Sequence, residues 1–213
     1  ARSPIGRANK GSLVSLRPDD MSAQIVGALM AKVPQVRSAD VDDLMMGIGQ
    51  PAGEGGFNIA RIVASLAGLD DVPGVTVNRY CSSSLQTIRM AFHAIKAGEG
   101  DCFIAAGVET VSRYANGASD VAPNPIFKEP GERTKARSQG GQGSWTPPVG
   151  LPDMYIAMGQ TAENVVELEG VSREAMDRFG VRSHNLACDH VDNGFFEREI
   201  TPLTLADGTV VAK

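Results

Sequence analysis

Cys81 lies where a predicted strand runs into a predicted helix, and a cysteine in that position has two very different uses. The residues before it include Val75 and Val77, whose β-branched side chains are typical of a strand. The residues after it place apolar side chains at spacings of three and four, the pattern of one helix face: Leu85, Ile88, Phe92 and Ile95. A cysteine at a helix start meets unpaired backbone N–H groups and the positive end of the helix dipole, which both favour the nucleophilic thiolate. The other use is a small apolar side chain packed at the junction, since free cysteine is among the most buried residue types.

The residue types around Cys81 also mark both ends of this helix. Ser82, Ser83 and Ser84 are hydroxyl residues of the kind that cap a helix start. Lys96 gives the last turn a basic side chain, and Gly98 supplies a glycine stop. The sequence therefore predicts a unit of strand, cysteine and helix over residues 75–98.

The composition is that of a folded α/β protein with one or two domains. The chain has 213 residues, of which 42% are hydrophobic and 24 are glycine, so it can bury a substantial core. Its formal net charge of −5 argues against a nucleic-acid partner or an anionic membrane surface. Cys81, Cys102 and Cys188 match no metal-ligand or disulfide spacing, which favours the reducing cytoplasm. The sequence contains no apolar run long enough to span a membrane, so we expect no membrane partner.

The rest of the first half alternates between helix and strand patterns. Residues 21–33 predict a helix, and residues 41–49 contain a short apolar run typical of a buried strand. Asn58 is expected to cap a second helix that ends at Gly68. Residues 101–108 again predict an apolar strand. This alternation indicates right-handed βαβ units in a mostly parallel sheet with helices on both faces.

The stretch 115–152 has a different character. It is rich in Pro, Gly, Ser and Asn, which indicates a long irregular segment that is functional or partly disordered. Its four clustered basic side chains are Lys128, Arg133, Lys135 and Arg137. They form either a solvated loop with scattered charge or a site for a phosphate group.

Order returns after this stretch. Residues 158–166 predict a helix, and Ser172 is expected to cap a longer helix that runs to about residue 190. Residues 195–200 predict a strand, and residues 203–211 predict a hairpin with Asp-Gly in its turn.

Four stretches, taken in order, resemble the signature motifs of thiolases. Residues 1–7 (ARSPIGR) are similar to the family's opening string, and residues 77–86 (VNRYCSSSLQ) are similar to its nucleophile motif. Residues 106–112 (AGVETVS) resemble the segment after the next strand, and residues 158–164 (MGQTAEN) resemble part of the family's loop domain. Because this resemblance covers nearly the whole chain, it favours the nucleophile over the packing role for Cys81.

The resemblance implies an α/β fold of the thiolase type, with α/β/α layers, as a first half only and with an inserted loop domain. We expect residues 1–114 to form the N-terminal thiolase core without its first and last strands, and residues 115–213 to form part of the loop domain. The family's C-terminal catalytic half carries a Gly-His-Pro histidine, a second catalytic cysteine and an Asn-Glu or similar pair near the oxyanion site, and none of these has a match here. The expected partner is therefore the missing C-terminal half of the same protein.

The implied activity is acyl transfer between CoA thioesters. Cys81 is expected to attack the carbonyl of a 3-oxoacyl-CoA, and the resulting acyl-Cys81 thioester passes its acyl group to a second CoA, or condenses with acetyl-CoA in the reverse direction. CoA and acyl-CoA are then substrates, and no permanently bound cofactor is expected. By resemblance Met158 lines the acyl pocket, with ordinary core filling as the alternative.

Other residues are expected to have no catalytic role. His93, His184 and His190 lie in predicted helices and match no thiolase catalytic motif, so we expect them to be structural or exposed. Cys102 and Cys188 are expected to be packing residues, in a buried strand and in a helix respectively.

Two departures from the family pattern and two rival functions complete the expectations. By comparison with the family, Ser84 replaces a common glycine and slightly narrows the space beside the nucleophile. Ala157 replaces a histidine of short-chain biosynthetic members, which favours a degradative or broader-chain enzyme, and we expect a role in fatty acid β-oxidation. The rivals are a non-catalytic thiolase-like protein that binds acyl-CoA and a β-ketoacyl synthase that depends on a carrier protein.

The resemblance also implies a homodimer or homotetramer, with the segment before Cys81 near the dimer contact and residues 115–152 available for tetramer contacts or for covering the substrate.

Overall fold

The structure is a computed structural model that describes residues 1–116, 118–139 and 149–212. The chain divides into two compact units, one formed by Ala1–Ser119 with Phe196–Lys213 and the other by Asp120–Phe195. The main elements of the first unit are α1 (Pro18–Lys32), β1 (Asp43–Gly47), α2 (Ile59–Leu66), β2 (Gly74–Val77), α3 (Ser83–Ala97), β3 (Phe103–Gly107), β4 (Leu203–Thr204) and β5 (Val210–Val211). The second unit contains α4 (Lys128–Ser138), α5 (Met158–Glu169) and α6 (Arg173–Asp192).

The first unit is built around a sheet of three parallel strands in the order β2-β1-β3. Strand and helix alternate as predicted, because parallel neighbours must be joined by a crossover connection. Gly47, the last residue of β1, is paired with Val77 of β2 and with Gly107 of β3. All three strands therefore end at the same level, and the loops that follow them meet at one edge of the sheet.

Helices cover both faces of this sheet. Leu44 and Met46 of the central strand are buried in a core cluster that also contains Val26 of α1 and Val63 of α2. Met45 lies between them in the strand, so its buried side chain points to the opposite face, where α3 contacts β1 and β3. The α/β/α layering expected from the sequence is thus confirmed.

Two helix starts differ in detail from the predictions. Helix α1 begins at Pro18, earlier than predicted, because proline is well suited to the first turn of a helix. Asn58 stands at the start of α2 but does not cap it with its side chain. Its side-chain amide instead donates to the carbonyl of Gly74 (2.8 Å) and accepts from the hydroxyl of Thr76 (2.8 Å), which ties the start of α2 to the edge strand β2.

The predicted strand over residues 195–200 is wrong. Phe195–Arg198 form a turn of 3-10 helix, and the guanidinium of Arg2 lies 4.5 Å from the centre of the Phe196 ring. Backbone hydrogen bonds join Arg2 to Glu199 (3.0 Å) and Thr201 (2.8 Å). The chain near Phe196 is therefore held to the start of the sequence by a cation–π contact and these bonds.

The predicted hairpin is confirmed, because β4 and β5 pair antiparallel. Leu203 is completely buried, and the side chain of Gln24 on α1 both donates to and accepts from the backbone of Thr204 (3.0 and 2.8 Å). These contacts place residues 196–212 with the first unit. The assignment of domains within a longer protein stays a prediction.

The second unit contains a helix that the sequence pattern did not predict. Helix α4 lies in the stretch expected to be irregular, and it lacks an apolar stripe because almost all of its side chains are polar. Arg137 near its end binds Asn164 and Glu167 of α5. The predicted helices α5 and α6 are confirmed, and the Ser172 hydroxyl caps α6 by accepting from the amide of Ala175 (3.2 Å). The part of the expected irregular stretch at residues 140–148 lies outside the described residues.

Candidate active site

Cys81 opens into a cavity at the edge where the three parallel strands end. The cavity has a volume of about 460 Å³ and is lined by Tyr80, Cys81, Ser83, Ser84, residues 47–50, residues 107–109, Val111 and Tyr114. Cys81 itself is exposed and belongs to the single 3-10 turn between β2 and α3. Ligands of open parallel sheets bind beyond the carboxyl ends of the strands, so this position fits a reactive side chain.

The turn that carries Cys81 has a strained backbone. Tyr80 has a φ angle of 46°, in the left-handed region that residues other than glycine rarely adopt. Its amide donates to the side-chain oxygen of Asn78 (2.8 Å). Strained residues persist only where their surroundings hold them, and they concentrate at functional sites.

The three serines after Cys81 do not act as the predicted caps of α3. Ser82 occupies the cap position, but its hydroxyl donates to the carbonyl of Arg79 (2.9 Å) rather than accepting from an amide of the helix. The buried hydroxyl of Ser83 accepts from the amide of Arg79 (2.8 Å) and donates to the carbonyl of Tyr80 (2.7 Å). The hydroxyls of Ser82 and Ser83 thus bond to the turn before the helix rather than to the helix itself. The predicted glycine stop is confirmed, because Gly98 ends α3 with a left-handed backbone.

Glycines allow the start of α3 to approach the strand ends very closely. A β-carbon built on Gly47 would lie 2.6 Å from the carbonyl carbon of Ser83, and one built on Gly107 would lie 1.9 Å from the Ser84 hydroxyl oxygen. Both distances are shorter than any ordinary contact. The absence of side chains at Gly47 and Gly107 therefore determines how deeply the helix start, and with it Cys81, sits against the sheet.

Two acidic residues support the loops around the cavity. The carboxylate of Glu109 accepts from the amide of Gly49 (2.7 Å), which joins the loop after β3 to the loop after β1. The carboxylate of Glu54 receives two hydrogen bonds from Arg113 (2.6 and 2.7 Å), and Arg113 also donates to the carbonyl of Val14 (2.9 Å). The hydrogen bonds from Arg113 lower the pKa of Glu54 below its usual value. These contacts fix the segment that supplies Val111 and Tyr114 to the cavity wall.

The remaining predicted residues lie elsewhere. Met158 is the first residue of α5 in the second unit and is 70% exposed, so core filling within that unit is wrong and its place in an acyl pocket stays a prediction. Cys102 packs partly buried against the core cluster, as expected, whereas Cys188 is exposed on α6 and the packing prediction for it is wrong. His93 and His184 are exposed on helices.

The basic cluster of the second unit is partly engaged within the protein. Arg137 binds two residues of α5, and Arg133 donates to the carbonyl of Leu151 (2.9 Å). The use of this cluster for phosphate stays a prediction. Within residues 1–116, 118–139 and 149–212, no group of three or more His, Cys, Asp or Glu side chains is arranged to hold a metal ion. Over the same part of the chain, no helix is both long enough and apolar enough to cross a membrane.

Comparisons with known proteins address the family of this chain. The family model for the thiolase N-terminal domain matches residues 1–212. The chain is 40% identical over 204 residues to a 3-ketoacyl-CoA thiolase of Bacillus subtilis, covering 95% of this chain and 47% of that protein. It is 41% identical over 209 residues to a beta-ketoadipyl-CoA thiolase of Acinetobacter baylyi, covering 96% and 50%.

The chain belongs to the thiolase family. It is also 37% identical over 207 residues to the 3-oxoadipyl-CoA/3-oxo-5,6-dehydrosuberyl-CoA thiolase of Escherichia coli K12, covering 96% of this chain and 50% of that protein. The chain thus spans about half the length of the curated relatives it matches. The resemblance read from the four motifs is confirmed.

In this thiolase chain, sequence reasoning selected Cys81 as a candidate but missed the residues that hold its turn. Gly47 and Gly107 each end a strand of the same sheet, and this repeated strand-end glycine is a signal that the sequence does contain. The roles of Ser83 and Glu109 depend on contacts made only after folding. Neither residue belongs to a local pattern that distinguishes it from its neighbours.

Proposed function

We propose that this chain carries the nucleophile of a thiolase, which transfers acyl groups between CoA thioesters through an acyl-Cys81 intermediate. The observation that carries the proposal is the position of Cys81, exposed on a strained turn before α3 and open to a cavity of about 460 Å³. This geometry gives a substrate carbonyl access to the sulfur. It also places the sulfur on the 3-10 turn that leads directly into α3.

The proposed reaction has two steps. The Cys81 thiolate attacks the 3-oxo carbon of a 3-oxoacyl-CoA, the bond to the neighbouring α-carbon breaks, and acetyl-CoA leaves as an enolate that takes up a proton. The thiolate of a second CoA then attacks the acyl-Cys81 thioester, which releases a shortened acyl-CoA and restores the Cys81 thiolate. Dividing the exchange through a thioester replaces one difficult step with two easier ones.

Both steps also need a proton carrier and oxyanion donors, and we assign these to the remaining part of the full-length protein. Among the described residues that line the Cys81 cavity there is no histidine. His93 and His184 are exposed on helices. The chain presented here would therefore supply the nucleophile and the cavity wall, and the rest of the protein would supply the acid–base chemistry.

The apolar face of α3 supports this division. Its four apolar side chains are strongly exposed, at 67% for Leu85, 58% for Ile88, 55% for Phe92 and 48% for Ile95. An exposed apolar stripe on one helix is unusual for an isolated soluble protein. Since the relatives are about twice as long, we propose that the remaining part of the same protein covers this face.

The finer assignments rest on family membership. We propose a degradative enzyme of the β-oxidation type that uses acyl-CoA and CoA as substrates without a permanently bound cofactor. The named relatives act on 3-ketoacyl-CoA and beta-ketoadipyl-CoA, which are both 3-oxoacyl thioesters. We further propose a cytoplasmic location, in line with three cysteines that form no disulfide. For the assembly we propose a homodimer or homotetramer. Light scattering of the full-length protein would decide between the two assemblies, and a monomer would contradict both.

The experiment that tests the function is acylation of Cys81 in the full-length protein. With acetyl-CoA alone, mass spectrometry of proteolytic peptides should find one acetyl group on the peptide that contains Cys81. Cys81→Ala should abolish both this acylation and the thiolysis of acetoacetyl-CoA while the protein stays folded. Cys188→Ala, which removes an exposed cysteine on α6, is the matched control and should leave both unchanged.

The two rival functions give different results in the same assays. A non-catalytic acyl-CoA-binding protein would bind acetyl-CoA without forming acetyl-Cys81. A β-ketoacyl synthase would accept an acyl group from a carrier protein in preference to CoA. Thiolysis that persists in Cys81→Ala would refute the assignment of the nucleophile.

A further inference from the structure

Ser83 lies two residues after Cys81, and its side chain bonds the turn that carries this cysteine. Its side chain is buried at 4% exposure, two residues after Cys81 in the first turn of α3. Its hydroxyl accepts from the amide of Arg79 (2.8 Å) and donates to the carbonyl of Tyr80 (2.7 Å). One hydroxyl therefore uses both its acceptor and its donor on the two residues that directly precede the nucleophile.

The turn that Ser83 binds is the one that needs support. Tyr80 keeps a left-handed backbone at φ 46°, a conformation that is unfavourable for a tyrosine unless neighbouring contacts enforce it. The exposed side chain of Asn78 contributes one further bond, to the Tyr80 amide (2.8 Å). Ser83 is thus the buried contact, and Asn78 the exposed contact, that hold the same turn.

Ser83 is itself held in place by the sheet. A β-carbon on Gly47 would lie 2.9 Å from the Ser83 β-carbon, so the end of β1 packs directly against this side chain. Gly47 thus contacts Ser83, Ser83 bonds to Tyr80, and Tyr80 directly precedes Cys81 in the chain. A side chain that packs against the rigid end of a strand is a suitable support for a reactive group.

We propose that Ser83 is the positioning residue for Cys81, and that its paired hydrogen bonds hold the strained Tyr80 turn so that the sulfur meets the substrate carbonyl. Catalytic rate is very sensitive to such placement, because a displacement of about 1 Å can reduce it about 100-fold. The proposal rests on the proposed thiolase function for its kinetic part. Its structural part, the support of the turn, does not depend on that function.

Ser82 provides a matched control in the same turn. Its hydroxyl donates to the Arg79 carbonyl (2.9 Å), but the Ser82 amide donates to that carbonyl as well (3.1 Å). Ser82→Ala therefore removes a hydroxyl next to Cys81 without leaving the Arg79 carbonyl unbonded. Ser83→Ala instead removes the hydroxyl to which the Arg79 amide donates, whereas the Tyr80 carbonyl keeps the bond that it accepts from the Ser83 backbone amide.

The test compares Ser83→Ala with Ser82→Ala in the full-length protein by hydrogen exchange and by acetoacetyl-CoA thiolysis. We expect Ser83→Ala to speed amide exchange in the peptide that covers residues 78–82 and to lower kcat by about 10- to 100-fold, with KM within about threefold. Ser82→Ala should keep kcat within about threefold and should leave exchange in that peptide unchanged. The alkylation rate of Cys81 by iodoacetamide should change by less than about threefold in either variant, since a small reagent needs no alignment.

Several results would overturn the proposal. Unchanged exchange over residues 78–82 in Ser83→Ala would show that the hydroxyl does not hold the turn, and a kcat equal to that of Ser82→Ala would show that the turn does not set the rate. If the wild-type protein shows no thiolysis, the proposed function fails, and the exchange result alone still decides the structural role of Ser83. If Ser83→Ala does not fold, Asn78→Ala removes the exposed contact to the same turn, and it should lower kcat in the same direction; an unchanged kcat in that variant would contradict the proposal.

Discussion

Replacement of Gly47 by alanine tests whether the close packing of α3 on the sheet positions the nucleophile. The new β-carbon would lie 2.6 Å from the carbonyl carbon of Ser83 and 2.7 Å from the amide nitrogen of Ser84. Ordinary contacts of a β-carbon begin near 3.4 Å, so the first turn of α3 would have to retreat by about 0.8 Å. Both clashing atoms belong to the backbone, and no side-chain rotation can relieve the contact.

This displacement sets the expected magnitudes. Overpacking costs about 1–3 kcal/mol, and the upper half of that range applies because the clash is with backbone atoms. Alanine recovers about 0.5–1 kcal/mol over glycine within a strand, which leaves a net loss of about 1–2.5 kcal/mol in the free energy of unfolding. A shift of nearly 1 Å in the turn before Cys81 should lower kcat by about 10- to 100-fold. Gly27→Ala on α1 is the matched control, because its β-carbon would meet no atom within 4 Å and it should stabilise the protein by up to about 1 kcal/mol.

Gly107→Ala gives a contrasting case on the other strand. Its nearest neighbour is the side-chain oxygen of Ser84 at 1.9 Å, a group that Ser84→Gly removes. We expect the double variant to recover most of the loss of Gly107→Ala, with a coupling of about 1 kcal/mol or more. Ser84→Gly should not rescue Gly47→Ala, since the backbone atoms remain.

Urea unfolding and acetoacetyl-CoA thiolysis of the full-length variants measure both effects. If the free energy of unfolding of Gly47→Ala lies within about 0.5 kcal/mol of the wild-type value, the substitution has no more effect than an ordinary surface change. Together with a kcat within about twofold, that result would refute the idea that the strand end determines the depth of α3. Rescue of Gly47→Ala by Ser84→Gly would show that the clash lies in a side chain rather than in the backbone.

Three further changes test the surrounding structure. The hydrogen bonds from Arg113 lower the pKa of Glu54. Their contribution to stability is therefore present above the unfolded pKa of about 4.3 and is lost as the pH falls through the folded pKa. Arg113→Met should lower the free energy of unfolding in urea by about 1–3 kcal/mol at pH 7, and its difference from the wild type should shrink in acid. Hydrogen bonds from the side chain and the backbone of Arg37 lower the pKa of Asp40 to about 2. Arg37→Ala removes only the side-chain bonds, so the NMR titration midpoint of Asp40 should rise but stay below the ordinary range, because the backbone amide of residue 37 still donates to the carboxylate (2.8 Å). If the remaining part of the protein covers α3, Ile88→Asp should destabilise the full-length protein by more than about 2 kcal/mol, whereas a change under about 0.5 kcal/mol would show that this face stays exposed.

The sequence predicted the layered fold well because hydrophobic periodicity decides it. The helix after Cys81 kept its predicted span to Gly98, and the strand that ends at Gly47 was visible as a short apolar run. Helix α4 lacks such a signal, since its polar side chains give no stripe, and its contacts through Arg137 arise only in the folded unit. The predicted strand at residues 195–200 followed the β-propensity of two phenylalanines, which the contact between Arg2 and Phe196 overrides.

The candidate site shows that a local pattern can place a residue without showing what its side chain binds. Cys81 was identifiable as a candidate because it lies between two periodic segments, and the resemblance to the thiolase motif then favoured the nucleophile role over packing. The supports of its turn were not, because Ser83 binds backwards to Arg79 and Tyr80 while the cap residues of most helices bind forwards. A serine at this point in the sequence predicts a helix cap, whether its hydroxyl bonds to preceding residues or to amides of the helix.

The strand-end glycines show how residues distant in the chain contribute to the candidate site. In the register of the sheet Gly47 and Gly107 are adjacent, so the first turn of α3 rests on two positions without side chains rather than on one. A helix that met ordinary side chains there would stand further from the sheet, and the turn before it would lose the rigid contact between Gly47 and Ser83. The placement of the turn that carries Cys81 therefore depends on residues 34 and 26 positions away from Cys81 in the chain, which act by leaving space. For this reason substitutions at the two glycines should change the rate of acyl transfer more than they change the chemical reactivity of the thiol itself.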